Sequence, residues 1–364
     1  MPPDAQIAAI RARAYTIPTD APGADGTFSW QNTTLVVVIV EAANCSGLGY
    51  TYSHVSDASL INETLGPLLE GGNAFDIPSL NAKLWRQVRN IGRAGLAATA
   101  ISALDVALWD LKARLLDLPL VRLLGATRSA TPIYGSGGFT SYSDAQLREQ
   151  LGGWVDRDGC TAVKMKVGSD PARDPARMKV ARSAIGEAAL FIDANGALTP
   201  KRALQFAKAA AEFGVRWFEE PVSSDDLDGL RFVRQRAPAG MEIAAGEYAY
   251  NLDDVRCMLA SGAVDVQQAD ITRCGGVTGF LAVGTLCAAH HIDLSGHCAP
   301  ALHLHAACSL PRFRHLEWFH DHVRIEQMLF EGAPVPCNGR IKPDLSCPGH
   351  GLTFKHKDAE RYAA

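Results

Sequence analysis

Residues 162–168, AVKMKVG, place Lys164 and Lys166 one residue apart in an apolar run. In a strand, the period of two sends both ammonium groups to one face and Met165 to the other. Lysine is rarely buried unpaired, and two side by side repel, so carboxylates are expected close by. Later segments offer ionisable groups in order. FIDAN carries Asp193 and Asn195, WFEEP carries Glu219, AAGE ends in Glu247, QQAD in Asp270, SGH in His297, and HLEW holds Glu317. Asp193, Glu219 and Glu247 on three successive strands can converge on one point. Three crowded carboxylates repel unless a hard cation neutralises them, and an all-oxygen set with open positions suits Mg²⁺, with Mn²⁺ fitting the same donors. Salt bridges from these carboxylates to neighbouring lysines are the plainer alternative. Asp270, one strand from His297, can fix its tautomer and raise its basicity. A lysine buried beside another cation has its pKa lowered toward neutrality, where it can take a proton. A base on each flank of a cation suits removing a proton next to a substrate carboxylate, with the cation stabilising the enediolate.

The elements that must hold these groups are legible as a rhythm. TPIYGSGG, AVKMKV, LFIDANG, VRWFEEP, MEIAAGE, DVQQADI, IDLSGHC and RHLEWF read as eight strands, each separated from the next by a helical pattern. Alternating strands and helices predict a parallel α/β fold, and eight strands can close a (β/α)8 TIM barrel, whose active site lies at the C-terminal strand ends. Every strand from the second to the eighth delivers an ionisable group there. One strand-end carboxylate alone would be read as a helix cap or turn residue; the succession is the signal.

Ahead of the barrel, residues 7–53 read as extended segments and about 57–125 as helices, an α+β capping domain. The turn TDAPGADGTFSW reads as a flap rather than a tight hairpin. Predicted boundaries are 1–125 for the cap and 126–322 for the barrel. A Gly/Pro-rich segment, 323–364, is expected to pack back on the cap. The 364 residues are 47% hydrophobic and 20% charged with a net charge of −4, an ordinary globular composition with no nucleic-acid or membrane surface. The apolar run TLVVVIVEAA is too short to span a bilayer. Nine dispersed cysteines without a C-x-x-C pair fit reduced thiols in the cytoplasm. His303 and His305, and His320 and His322, form H-x-H pairs, but HLH falls in a helical stretch where such residues diverge and HDH follows the last strand. Gly275-Gly276 reads as a strand-to-helix turn rather than a phosphate loop, since no P-loop lysine follows. Arg273 can pair with a carboxylate or brace its loop.

The ordered set KMK, DAN, EEP, GE, QQADITRCGG, SGH and LEW resembles the enolase superfamily, specifically its mandelate racemase subgroup, over nearly the whole chain. The resemblance implies an enolase-type (β/α)7β modified barrel with Asp193, Glu219 and Glu247 as metal ligands. It implies Lys166 as one base, and Lys164 as the contact to the substrate carboxylate. His297, oriented by Asp270, would be the opposite base or acid, and Glu317 would hydrogen-bond the carboxylate as it gains enolate character. Asn195 is implied as a polar contact. Relatives with a lysine on the sixth strand catalyse cycloisomerisation of muconate or epimerise dipeptides, and VQQADI argues against those reactions. Dehydration of an acid sugar to a 2-keto-3-deoxy acid is the favoured expectation, racemisation of a 2-hydroxy acid the alternative, and a non-catalytic barrel a third. Trp30, Tyr50, Tyr52 and His54 are candidate specificity contacts, with ordinary cap core as the competing reading. Homo-oligomerisation is implied by the resemblance alone.

Overall fold

The computed structural model describes residues 5–364. It opens with an antiparallel sheet in the order β1 (Ile7–Ala24), β2 (Ser29–Ala42) and β3 (Cys45–Tyr52). The apolar run of β2 has no alternation because both its faces are covered. Val36, Val38 and Val40 pack with the cap helices, whereas Leu35 and Val37 join the core that continues into the barrel. Helix α1 (Leu96–Leu115) lies on this sheet. It approaches so closely that a Cβ at Gly47 or Gly49 would sit 2.2 or 2.1 Å from the carbonyls of Ala107 or Ala103. The same helix clamps the barrel: Asp105 accepts hydrogen bonds from the Thr278 backbone N–H (2.9 Å) and hydroxyl (2.6 Å).

The segment expected to be a flap is instead the tip of a long, ordered hairpin. Asp25 Oδ1 accepts from the backbone N–H of Thr27 and Phe28, which closes the turn, and an irregularity between Pro18 and Gly23 bends the arm. The tip rests on the barrel mouth, where a Cβ on Gly26 would meet the Ala194 carbonyl at 2.3 Å. Only glycine permits that approach.

The eight expected strands form β4 (Thr131–Gly137), β5 (Ala162–Lys166), β6 (Ala189–Asp193), β7 (Val215–Glu219), β8 (Glu242–Ala245), β9 (Val266–Ala269), β10 (Asp293–Gly296) and β11 (Phe313–Phe319). All pair in parallel, and β11 pairs with β4 to close the barrel. Outward residues such as Met165, Ile192, Phe218 and Ile243 pack under the helices. Inward residues stack in layers, with Tyr134, Phe191 and Trp217 below and ionisable groups above.

Helix α2 (Pro300–Ser309) connects β10 to β11, and α3 (His320–Leu329) follows β11. Arg340–Ile341 then pairs antiparallel with the start of β4. The chain ends against the cap, where Arg13 donates two 2.8 Å hydrogen bonds to Glu360 and the Ala364 N–H donates to the Ala14 carbonyl. No helix among the described residues is long and apolar enough to cross a membrane.

Candidate active site

Left-handed backbone recurs just past the strand ends: Gly138 (φ 53°), Gly168 (φ 101°), Asn195 (φ 44°), Glu220 (φ 36°), Gly246 (φ 132°) and Cys298 (φ 51°). For the non-glycine residues this conformation costs on the order of 1–3 kcal/mol each. It turns the chain sharply, so the last inward side chain of each strand stays at the mouth. The groups gathered there are buried and line or underlie a cleft of about 350 Å³, bounded by Lys166, Asn195, Glu247, His297 and Glu317 from the barrel and by Trp30 and Tyr52 from the cap.

Asp193, Glu219 and Glu247 each bring an oxygen within 4.8 Å of the others. The Glu247 Oε2 atom is buried and accepts no hydrogen bond from the described residues, although His297 Nε2 lies 3.2 Å away. A buried carboxylate oxygen that faces His297 without a hydrogen bond, beside two further carboxylates, fits a hard divalent cation. Burial pushes the Glu219 carboxyl up, Lys164 opposes it, and Asp193 and Glu317 raise it further, to about 8. Two acids side by side thus resist ionising together without a further positive charge.

Lys164 is wholly buried among three carboxylates, 2.5 Å from Glu219 Oε1, 2.8 Å from Glu317 Oε1 and 3.5 Å from Asp193 Oδ2. Lys166 donates to Asp193 Oδ2 at 2.6 Å. The expectation that Lys166 is tuned downward is reversed in this network. Burial is the largest influence and pushes it down, and Lys164 adds to that, but Asp193, Glu247 and Glu317 together prevail and hold the ammonium above its ordinary range. The plainer reading, carboxylates paired to lysines, is therefore present in the cluster and coexists with the cation-ready oxygens.

Opposite stands the dyad. His297 Nδ1 and Asp270 Oδ2 lie 2.8 Å apart, and Asp270 Oδ1 accepts from the Thr272 N–H and hydroxyl at 2.7 Å each. Burial disfavours charge on His297, yet Cys298, Glu247, Glu317 and Asp270 together hold the imidazole well above its usual range. Glu317 is held low: burial pushes it up, but Lys164 and His297 prevail. It acts here as an acceptor, taking hydrogen bonds from the Ser136 hydroxyl at 2.6 Å and the Cys298 N–H at 3.0 Å. Asn195 borders the cleft with its N–H on Asp193 Oδ1 (2.9 Å), and its own Oδ1 is buried without a partner among the described residues.

Two cap candidates fall outside this cleft. Tyr50 is fully buried and donates its hydroxyl to Glu326 at 2.7 Å, so it is cap-to-α3 core. His54 is exposed, does not border the cleft, and bonds Ser56 at 2.8 Å. Trp30 borders the cleft edge-on to Phe139, and the Tyr52 ring stacks on His322. The H-x-H pairs serve structure: His303 Nε2 accepts from the Ile271 N–H, His305 Nδ1 from Val121, and His322 Nδ1 from Ala299. Arg273 does both things expected of it, donating to the Glu247 carbonyl at 2.9 Å and standing 3.6 Å from Asp270 Oδ2.

Several cleft residues were not singled out from the sequence. Cys298 and Tyr248 follow His297 and Glu247 directly, and that adjacency was an available signal. Asn32, Thr33, Thr34 and Ser53 reach the cleft from the cap, and no local pattern marks them. Glu220 is buried beside the cluster, with burial and then Glu247 pushing its carboxyl well up.

Comparison with known proteins agrees with this geometry. Residues 10–125 match the N-terminal domain of the mandelate racemase/muconate lactonizing enzyme family, and residues 146–359 match the enolase C-terminal domain-like family. A 3,6-anhydro-alpha-L-galactonate cycloisomerase from Streptomyces coelicolor is 33% identical over 98% of this chain and 99% of its own. The crystal structure of a mandelate racemase/muconate lactonizing enzyme-like protein from Rubrobacter xylanophilus superposes with a TM-score of 0.96, at 48% identity over 99% of this chain and 100% of that one. That of L-talarate dehydratase from Polaromonas sp. JS666, complexed with Mg and L-glucarate, gives 0.87 at 28% identity over 99% and 98%.

Proposed function

The chain belongs to the mandelate racemase/muconate lactonizing enzyme family of the enolase superfamily, and from that premise we propose that it is a Mg²⁺-dependent lyase that dehydrates an acid sugar to a 2-keto-3-deoxy acid. The observation that carries this reading is the cleft itself, with Lys166 and His297 facing it from opposite flanks of the Asp193–Glu219–Glu247 set. Asn32 borders the cleft from the cap with an exposed side chain, and its amide suits a hydroxylated substrate.

Asp193, Glu219 and Glu247 would hold the cation, with Mn²⁺ suited to the same donors. When bound, it offsets charge developing on the substrate carboxylate and competes for the oxygens that hold the two lysines protonated. Lys164 supplies a fixed positive charge toward the substrate carboxylate, and Asn195 a polar contact beside it. Lys166 or His297, according to the configuration at C2, takes the α-proton; the electron pair moves into the carboxyl group as an enediolate. Asp270 keeps the His297 Nδ1 engaged, so Nε2 is the atom that exchanges a proton with substrate or with the departing β-hydroxyl. Glu317 borders the same oxygens and becomes a donor there if it gains a proton. Loss of hydroxide as water leaves an enol, which ketonises with one solvent proton added at C3.

The likeness to an anhydro-sugar-acid cycloisomerase favours a second reading on the same residues. A β-oxygen tethered as a ring ether would leave by the same elimination but stay attached, giving an isomer without loss of water. Residues 1–125 are read as the substrate-contacting cap, 126–322 as the catalytic barrel and 323–364 as the tie between them. Nine free cysteines support a reducing, cytoplasmic setting, and a homo-oligomer is the expected assembly. A panel of mono- and diacid sugars and their anhydro forms, incubated with Mg²⁺ and assayed for 2-keto-3-deoxy product by mass and carbonyl derivatisation, tests the reading. Turnover with an 18 Da loss supports dehydration, an isomeric product the second reading, and no turnover of any member overturns both.

A further inference from the structure

Among the described residues, one further group of metal-ligating side chains accompanies the three carboxylates: His297, Cys298 and Glu317, all buried and all lining the cleft. Its chemistry is different. Sulfur, imidazole nitrogen and one carboxylate oxygen form a donor set for a thiophilic cation, which Mg²⁺ does not prefer. The spacing is already that of a coordination face. Cys298 Sγ lies 3.3 Å from His297 Nε2 and 3.5 Å from Glu317 Oε2, and His297 Nε2 is 3.7 Å from Glu317 Oε2. Tetrahedral zinc, with bonds of about 2.3 Å to sulfur and about 2.0–2.1 Å to nitrogen and oxygen, has ligand-to-ligand edges of roughly 3.4–3.5 Å.

The supports of each ligand are also in place. Asp270 engages the other nitrogen of His297 at 2.8 Å, the carboxylate–histidine relay that commonly orients a metal-bound imidazole. Glu317 Oε2 is pinned by the Cys298 backbone N–H. The left-handed turn that follows β10 includes Cys298 and Ala299 (φ 51° and 36°), and the Cys298 thiol lies 3.5 Å from Glu317 Oε2.

We propose that His297 Nε2, Cys298 Sγ and Glu317 Oε2 form a second cation site, selective for thiophilic divalent ions such as Zn²⁺, whose occupancy blocks proton transfer at His297. The bonds formed are metal–sulfur, metal–nitrogen and metal–oxygen, and the thiol proton of Cys298 and the Nε2 proton of His297 pass to solvent; nothing is oxidised or reduced. All three donors line the cleft, from which an ion would enter. The inference goes beyond the proposed reaction, because the site stands on its own donors whatever substrate the cleft takes.

The test uses the full chain, with exposed Cys257 and Cys337 replaced by serine and with saturating Mg²⁺ present. Titration with Co²⁺ should give a thiolate-to-cobalt charge-transfer band saturating at one equivalent, which Zn²⁺ displaces. Adding Cys298→Ser should abolish the band and weaken Zn²⁺ binding at least tenfold by calorimetry, with Mg²⁺ binding unchanged. Should that variant fold poorly, X-ray absorption on the Zn²⁺-loaded parent decides: one sulfur with nitrogen and oxygen neighbours supports the site. A first shell without sulfur, or superimposable titrations of the parent and Cys298→Ser, would overturn it.

Discussion

On β5, β6, β7 and β11 the inward residues Ala162, Phe191, Trp217 and His315 are followed two positions later by Lys164, Asp193, Glu219 and Glu317. The lower layer is an aromatic plug: Phe191 stacks on Trp217 at 5.2 Å, Tyr134 meets Phe191 at 5.4 Å, and His315 meets Tyr134 at 4.7 Å. Burial drives His315 down to about 3, so this floor carries no charge near neutral pH. The upper layer holds lysines and carboxylates at comparable burial. The two are coupled. Trp217 Nε1 donates to Glu219 Oε2 at 2.9 Å, and Lys164 Nζ sits 5.5 Å above the Tyr134 ring. A dry floor keeps water from screening the charges above it, which strengthens every interaction at the mouth. Plug and charges divide the labour: the first sets the dielectric, the second does the chemistry.

Substitutions can set the layers apart. The largest effect belongs above: Lys166→Ala should lower kcat on a substrate of matching configuration by about 10²–10⁴-fold, with the melting temperature changed far less, as paired kinetics and calorimetry would read. Below, Trp217→Ala should cost about 3–5 kcal/mol of stability by denaturant unfolding; an unchanged midpoint would deny the plug its role. Outside both layers, Glu326 on α3 is a buried carboxyl raised to about 8, chiefly by burial. The folded state therefore keeps a proton that the unfolded chain releases near its ordinary value of 4.5. Stability from this group is full at low pH and declines as pH rises through that window, by at most about 1.4 kcal/mol per pH unit. Glu326→Gln should flatten that slope; parallel wild-type and variant curves would contradict the assignment. The smallest effect is expected at Tyr134, whose buried hydroxyl has no partner among the described residues. Tyr134→Phe should be neutral or stabilising by up to about 1 kcal/mol, and a clear loss would mean that the hydroxyl is engaged.

The barrel and its strand-end groups were legible because each claim needed only a period of two and an order along the chain. Asp193, Glu219, Glu247, Asp270 and His297 lie where that order puts them. The cap contacts were not legible. Whether Tyr50 or Tyr52 reaches the cleft depends on how β3 packs on α3, and alternation alone cannot choose between two tyrosines on the same face. Trp30 and Asn32 arrive at the mouth only because Gly26 lets the hairpin tip descend onto Ala194. The pairing that raises Lys166 was not legible for a related reason. Sequence showed its like-charged neighbour, whereas the 2.6 Å contact to Asp193 follows from how β5 and β6 are registered.

The central claim is that the charged layer removes a proton from the carbon beside a carboxylate. The most direct measurement is proton NMR of turnover in deuterated buffer with Mg²⁺ and an acid sugar the enzyme accepts. The expected result is loss of the C2 proton and a 2-keto-3-deoxy product carrying one deuterium at C3. A product that keeps its original C2 hydrogen would contradict it.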